Sequence, residues 1–208
     1  VETSRKYRIE KIESLNGVRQ EARRLIMAAI PRNYVKAWPR LDLPINWRRN
    51  FYLSGGVGVG KTWALYGLIK EMAIRSTMML RYRLFYDGEN NGRVIGVGWP
   101  EAKVLSVVDF SSSLRTGKFN ETADVIASVK HTRHLFIDDL GSEMRSDYTD
   151  HALFEVIDHR HNERMHTGFT SNFKINDLPY DDRIKSRIVG MVGENGFNMT
   201  GEDRRLPR

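Results

Sequence analysis

Residues 55–62 read Gly55-Gly56-Val57-Gly58-Val59-Gly60-Lys61-Thr62, an instance of the pattern G-x-x-x-x-G-K-[ST]. The apolar run Phe51-Tyr52-Leu53-Ser54 before it predicts a short buried strand. Leu65, Leu68, Ile69 and Met72 after it predict a helix over 62–75. A glycine turn between a strand and a helix start is built to hold an anion. Glycines let the chain curl so that successive N–H groups converge on phosphate oxygens, and the helix adds its positive end. Lys61 can reach the β- and γ-phosphates, and the Thr62 hydroxyl can ligate Mg²⁺. Gly56, Val57, Gly58, Val59, Gly60, Lys61, Thr62 and Trp63 are therefore the candidate nucleotide-binding run, with ATP and Mg²⁺ as the expected cofactors.

Such a loop needs a second strand that delivers a carboxylate to the metal. Leu135-Phe136-Ile137 followed by Asp138-Asp139 supplies one, with the acids at the end where open α/β sheets bind ligands. Asp138 is the candidate metal ligand alongside Thr62, and Asp139 the residue that orients or deprotonates the attacking water. Further strands are expected at 104–110, 168–172 and 197–200, and helices at 111–116, 122–129, 149–165 and 181–189. Strands alternating with helices imply an α/β fold with a mainly parallel sheet. Residues 78–86 and 93–99, flanking the polar segment 87–92, predict an inserted β-hairpin over 78–99. Its Arg81, Tyr82, Arg83, Phe85, Tyr86, Arg93 and Trp99 mix cationic and stacking side chains suited to single-stranded DNA.

Lys and Arg exceed Asp and Glu by 33 to 26. Residues 1–50 carry 12 basic and 5 acidic groups, so the excess is local and points to an acidic partner such as nucleic acid. Residues 4–29 predict a basic amphipathic helix, and Tyr34, Trp38 and Trp47 are expected to fold against the domain that follows. That gives an N-terminal segment of 1–49 and a core of 50–208. Absence of cysteine excludes disulfides and Cys-ligated metals within the chain. The six His residues form no convincing metal set, since His159 and His161 lie two apart on a predicted helix. No apolar run is long enough to span a membrane, and a cytoplasmic setting, in a bacterium or a phage-infected host, is expected.

The motifs GGVGVGKT (55–62), LFIDDLG (135–141), TSN (170–172) and DRIKSRI (182–188) together resemble the AAA+ ATPases of the DnaC/DnaI helicase-loader group, with IstB-type transposition helpers sharing most of the pattern. The resemblance covers about residues 30–205. It implies an AAA+ P-loop core with flanking helices and a reduced C-terminal lid. It makes Asn172 the polar sensor of the γ-phosphate, and Arg187 the arginine finger donated to a neighbouring subunit's ATP, with Arg183 the runner-up. Arg204 or Arg205 would be a second sensor. A guanidinium suits the finger role because it stays charged and binds phosphoryl oxygens through a fork. The implied partners are a replicative helicase, single-stranded DNA and further copies of the chain in a ring or spiral. The competing readings are an IstB-like helper on duplex DNA, a nucleotide-binding adaptor without turnover and, more remotely, a small-molecule kinase.

Overall fold

Every residue of β1 (Phe51–Gly55) is buried, as befits a parallel strand covered on both faces. The computed structural model describes residues 30–38, 42–83, 102–117 and 119–203. After β1 come α1 (Lys61–Arg83), β2 (Ala102–Ser106), α2 (Val107–Thr116), α3 (Phe119–His131) and β3 (His134–Leu140). The chain continues with α4 (Asp147–Asn162), β4 (His166–Ser171), α5 (Asp182–Val192) and β5 (Gly196–Met199). The five strands form one sheet in the order β2-β3-β4-β1-β5, and every pairing is parallel. The expected α/β architecture is present.

The chain divides into two compact units, residues 40–65 with 101–208, and 1–39 with 66–100. In the first, Tyr52, Leu135, Ile137 and Phe169 of the sheet join Phe110, Leu114, Val129, Leu153, Ile157, Ile184 and Ile188 of α2 to α5 in one core. Phe51 tilts against Phe136 at a centroid distance of 6.1 Å, and both rings lie over Gly168. A Cβ at Gly168 would fall 2.3 Å from Phe51 Cζ, so the site requires glycine. In the second unit, Ile30 is buried with Tyr34, Val35 and Tyr66 packed on it, and Tyr34 stacks on Tyr66 at 4.6 Å. Lys70 Nζ donates to the carbonyls of Val35 at 2.6 Å and Ala37 at 2.8 Å. Burial holds its ammonium below the usual lysine range.

Several boundaries differ from expectation. The strand expected over 104–110 ends at Ser106, whose Oγ accepts from Asp109 N at 3.2 Å and caps α2. A serine cap with an acid three residues on starts a helix even within an apolar run. The helix expected to end at Arg75 runs to Arg83. Gly67 is its only strong breaker, and Met, Leu and Arg are good helix formers. Residues 78–83 are thus helical, and the first strand of the expected hairpin does not start there. The remainder of that insertion, 84–99, lies outside the described residues, as does the basic helix expected over 4–29. Of the three aromatics expected to fold inward, Trp47 packs edge-on against Phe51 at 4.9 Å and Tyr34 packs on Tyr66. Trp38 is 70% exposed.

Candidate functional site

β1, β4 and β3 are neighbours in the sheet, so their C-terminal ends bring three sequence-distant segments to one edge. The loop after β1 contributes Lys61, which opens α1 and is only 5% exposed. Its Nζ donates to the carbonyls of Gly55 at 2.9 Å and Gly56 at 2.8 Å, and to Asn172 Oδ1 at 2.9 Å. These bonds satisfy the three N–H groups of an ammonium. Gly58 has φ +78°, a conformation open to glycine at little cost. A Cβ there would lie 1.7 Å from Asp203 Oδ1, so the C-terminal segment rests against the loop.

From β3 come the two acids. Thr62 Oγ1 donates to Asp138 Oδ1 at 3.2 Å, and Thr170 Oγ1 makes a short bond to the same oxygen. Asp138 is buried, at 8% exposure. Burial raises its carboxyl above the usual range, opposed by the Thr170 and Thr62 hydroxyls and by Lys61. Asp139 follows in the left-handed region at φ +57°. The cause is an irregularity in the ladder. Ile137 pairs with Phe169 and Leu140 with Ser171, so β3 takes three steps where β4 takes two. The Asp139 N–H donates to Thr170 Oγ1 at 3.0 Å.

The structure thus gathers at these strand ends two hydrogen-bonded pairs, Lys61 with Asn172 and Thr62 with Asp138, with Asp139 next to Asp138 in the chain. Asn172 stands just past the end of β4. Arg187 lies on α5, where its Nε donates to Asp158 Oδ1 of α4 at 2.6 Å. Arg183 lies one turn earlier, bonded to Asp181 at 2.8 Å, with its guanidinium 5.1 Å from the Phe154 ring centroid. Asp181 also caps α5 through Ile184 N. Arg204 and Arg205 lie outside the described residues. Among the described residues no group of three or more His, Cys, Asp or Glu could hold a metal. His159 packs edge-on with His131 at 4.8 Å.

The residue that the sequence left unassigned is Thr170. A strand expected over 168–172 puts Thr170 on the same side as Asn172, which is a usable signal. Its partners on β3 follow only from the register. A second unforeseen contact lies beyond Leu140. Gly141 N donates to Glu143 Oε2 at 3.1 Å and to the Tyr180 hydroxyl at 2.9 Å, and Tyr180 donates in turn to Glu143.

The hard oxygens of Thr62 and Asp138 and the ammonium of Lys61 suit a magnesium-bound polyphosphate. No family model matches the chain. The chain is 29% identical over 174 residues to the replicative helicase loader DnaI of Bacillus subtilis (strain 168), an alignment covering 76% of this chain and 48% of that protein. It therefore spans about half the length of that curated relative. A crystal structure of DnaI superposes with a TM-score of 0.60 at 22% identity, covering 85% of this chain and 95% of that one. AMPPCP-bound DnaA from Aquifex aeolicus superposes with a TM-score of 0.55 at 17% identity, over 77% of this chain and 42% of that one. In sequence the chain is similar to the helicase loader DnaI, and in fold it is similar to DnaI and DnaA.

Proposed function

We propose that the chain binds Mg·ATP on the 55–62 loop and hydrolyses it at sites shared between copies, as part of a factor that loads a replicative helicase onto single-stranded DNA. The observation that carries this reading is the convergence of Lys61, Thr62, Asp138 and Asn172 from three adjacent strand ends. The sequence relative is a replicative helicase loader, and a structural neighbour holds the ATP analogue AMPPCP. Both support the choice of nucleotide and of client.

In this reading the amides of residues 56–63 and Lys61 bind the phosphates. Lys61 exchanges its contacts with the Gly55 and Gly56 carbonyls for phosphate oxygens. Thr62 and Asp138 hold magnesium, which when bound neutralises charge on the β- and γ-oxygens. Asp139 orients the attacking water and accepts its proton. Asn172, already bonded to Lys61, reads the γ-phosphate position. Arg187 acts on a neighbouring copy's nucleotide, held in reach by Asp158. One copy alone lacks that guanidinium at its own site, so turnover depends on assembly. Arg204, the candidate second sensor, and the basic residues of 1–50 complete the proposal as nucleotide and partner contacts.

The test is the rate of ATP hydrolysis against protein concentration, with and without single-stranded DNA, beside co-purification with a replicative helicase. A rate rising faster than linearly, lost in R187A with nucleotide affinity kept, supports shared sites. A strictly linear rate with R187A fully active overturns them. Helicase retention only with ATP supports loading. Failure to retain helicase, with duplex DNA bound in a length-dependent way, favours the transposition-helper alternative.

A further inference from the structure

Thr170 is fully buried on β4 and stands between the two acids. Its hydroxyl has one proton and two lone pairs. The Asp139 main-chain N–H can only donate, so Thr170 must accept there, at 3.0 Å. Its single proton is therefore free to go to Asp138 Oδ1, the acceptor it touches. Thr62 donates to that same oxygen. Both hydroxyls thus converge on Oδ1, which fixes the carboxylate's rotation and leaves Oδ2 as the oxygen without a hydroxyl on it.

We propose that Thr170 is a positioning residue for the metal site: its proton aims the Asp138 carboxylate and its lone pair holds the Asp139 backbone in its left-handed turn. One side chain on β4 thereby couples the group that holds magnesium to the group that handles water. The proposal rests on the Mg·ATP reading above. The contact crosses from β4 to β3 at the ladder irregularity, where regular β3–β4 pairing is interrupted. Removal of the hydroxyl takes away both constraints at once, while the phosphate contacts of the 55–62 loop stay in place.

The decisive comparison uses T170V, which keeps the shape without the hydroxyl, and T170S, which keeps the hydroxyl without the methyl. Affinity for a fluorescent ATP analogue is measured in EDTA and across a magnesium titration, with thermal unfolding alongside. The metal-free affinity of T170V should stay within about twofold of the parent. Its half-saturating magnesium concentration should rise about 10- to 100-fold, the usual effect of losing a group that orients a metal ligand. T170S should return most of that shift, and at saturating magnesium T170V should lose kcat with KM nearly unchanged. T170A makes the same comparison should T170V not fold. A T170V or T170A protein that folds and needs no more magnesium than the parent overturns the proposal. A parent whose nucleotide affinity ignores magnesium overturns the underlying reading instead, and the proposal with it.

Discussion

Arg160 is the most consequential side chain outside the site. It lies at 0% exposure near the end of α4. Its guanidinium donates to Thr132 O at 2.7 Å, Lys130 O at 3.0 Å, His166 O at 2.6 Å and Thr167 Oγ1 at 2.9 Å, with Val129 O at 3.3 Å. Burial pulls its pKa down to about 10, so it remains a cation at neutral pH. One side chain therefore ties the end of α3 to the start of β4. Arg160→Met would leave these oxygens without their donor in a site closed to water. At ~1 kcal/mol for each of the four acceptors within 3.0 Å, the low end for an unmet buried partner, the loss is ~4 kcal/mol. For a chain of this size that is a fall of about 8–16 °C in Tm, read by circular dichroism at pH 7. Arg160→Lys, a point charge without the fork, should fall between the two proteins. An Arg160→Met protein melting within about 2 °C of the parent would refute the reasoning.

Acid should destabilise the fold through His134 and His166. Burial lowers both, His134 to about 4 with help from His166, Arg133 and Arg160. The unfolded chain then binds more protons below pH 6.5, so stability is lost as pH falls from about 6.5 towards 4. Tm should drop by about 4–8 °C between pH 7 and 5, and H134F should flatten that slope; an unchanged slope excludes the histidine. Gly58→Ala should weaken nucleotide binding and lower Tm, because it forces a Cβ into a left-handed turn and onto Asp203. Adding D203A should recover part of the loss in a double-mutant cycle; strict additivity would argue against the contact. Tyr180→Phe should cost about 1–2 kcal/mol, a Tm loss of about 2–8 °C, by removing the hydroxyl that donates to buried Glu143 Oε1 and accepts from Gly141 N; a Tm equal to the parent's would count against it.

Local chemistry was the part of this chain that could be read without coordinates. A strand, a glycine turn and an amphipathic helix are consecutive, so the 55–62 loop is visible in one short segment. Alternating strands and helices likewise imply the parallel sheet. Boundaries were less visible where two signals compete. Val104 to Phe110 is apolar enough for a strand, but Ser106 and Asp109 cap a helix inside it. Met78 to Arg83 alternates long apolar and cationic side chains as a strand would, yet no breaker stops the helix before it. Contacts across strands left the least trace. Nothing local to Arg160 marks it as buried. Nothing local to Thr170 names Asp138 and Asp139 as its partners.

The placement of these two side chains on and beside β4 has a joint consequence. β4 lies between β3, which carries the acids, and β1, which carries the loop. A slide of β4 against either neighbour would move Thr170 off Asp138 and Asn172 off Lys61 together. At the N-terminal end, Arg160 holds His166 and Thr167. At the C-terminal end, Ser171 Oγ donates to Leu140 O at 2.6 Å. The strand is thus pinned at both ends to the elements that precede it in the chain. Parallel pairing is set by side chains rather than by a tight turn, because its strands are joined only through long crossovers. The buried guanidinium at one end and the hydroxyls at the other supply that missing constraint. Damage at Arg160 should therefore reach the site as a shift in register, lowering the magnesium response before it abolishes nucleotide binding. A destabilised Arg160→Lys protein with unaltered magnesium dependence would show that the two ends of β4 are independent.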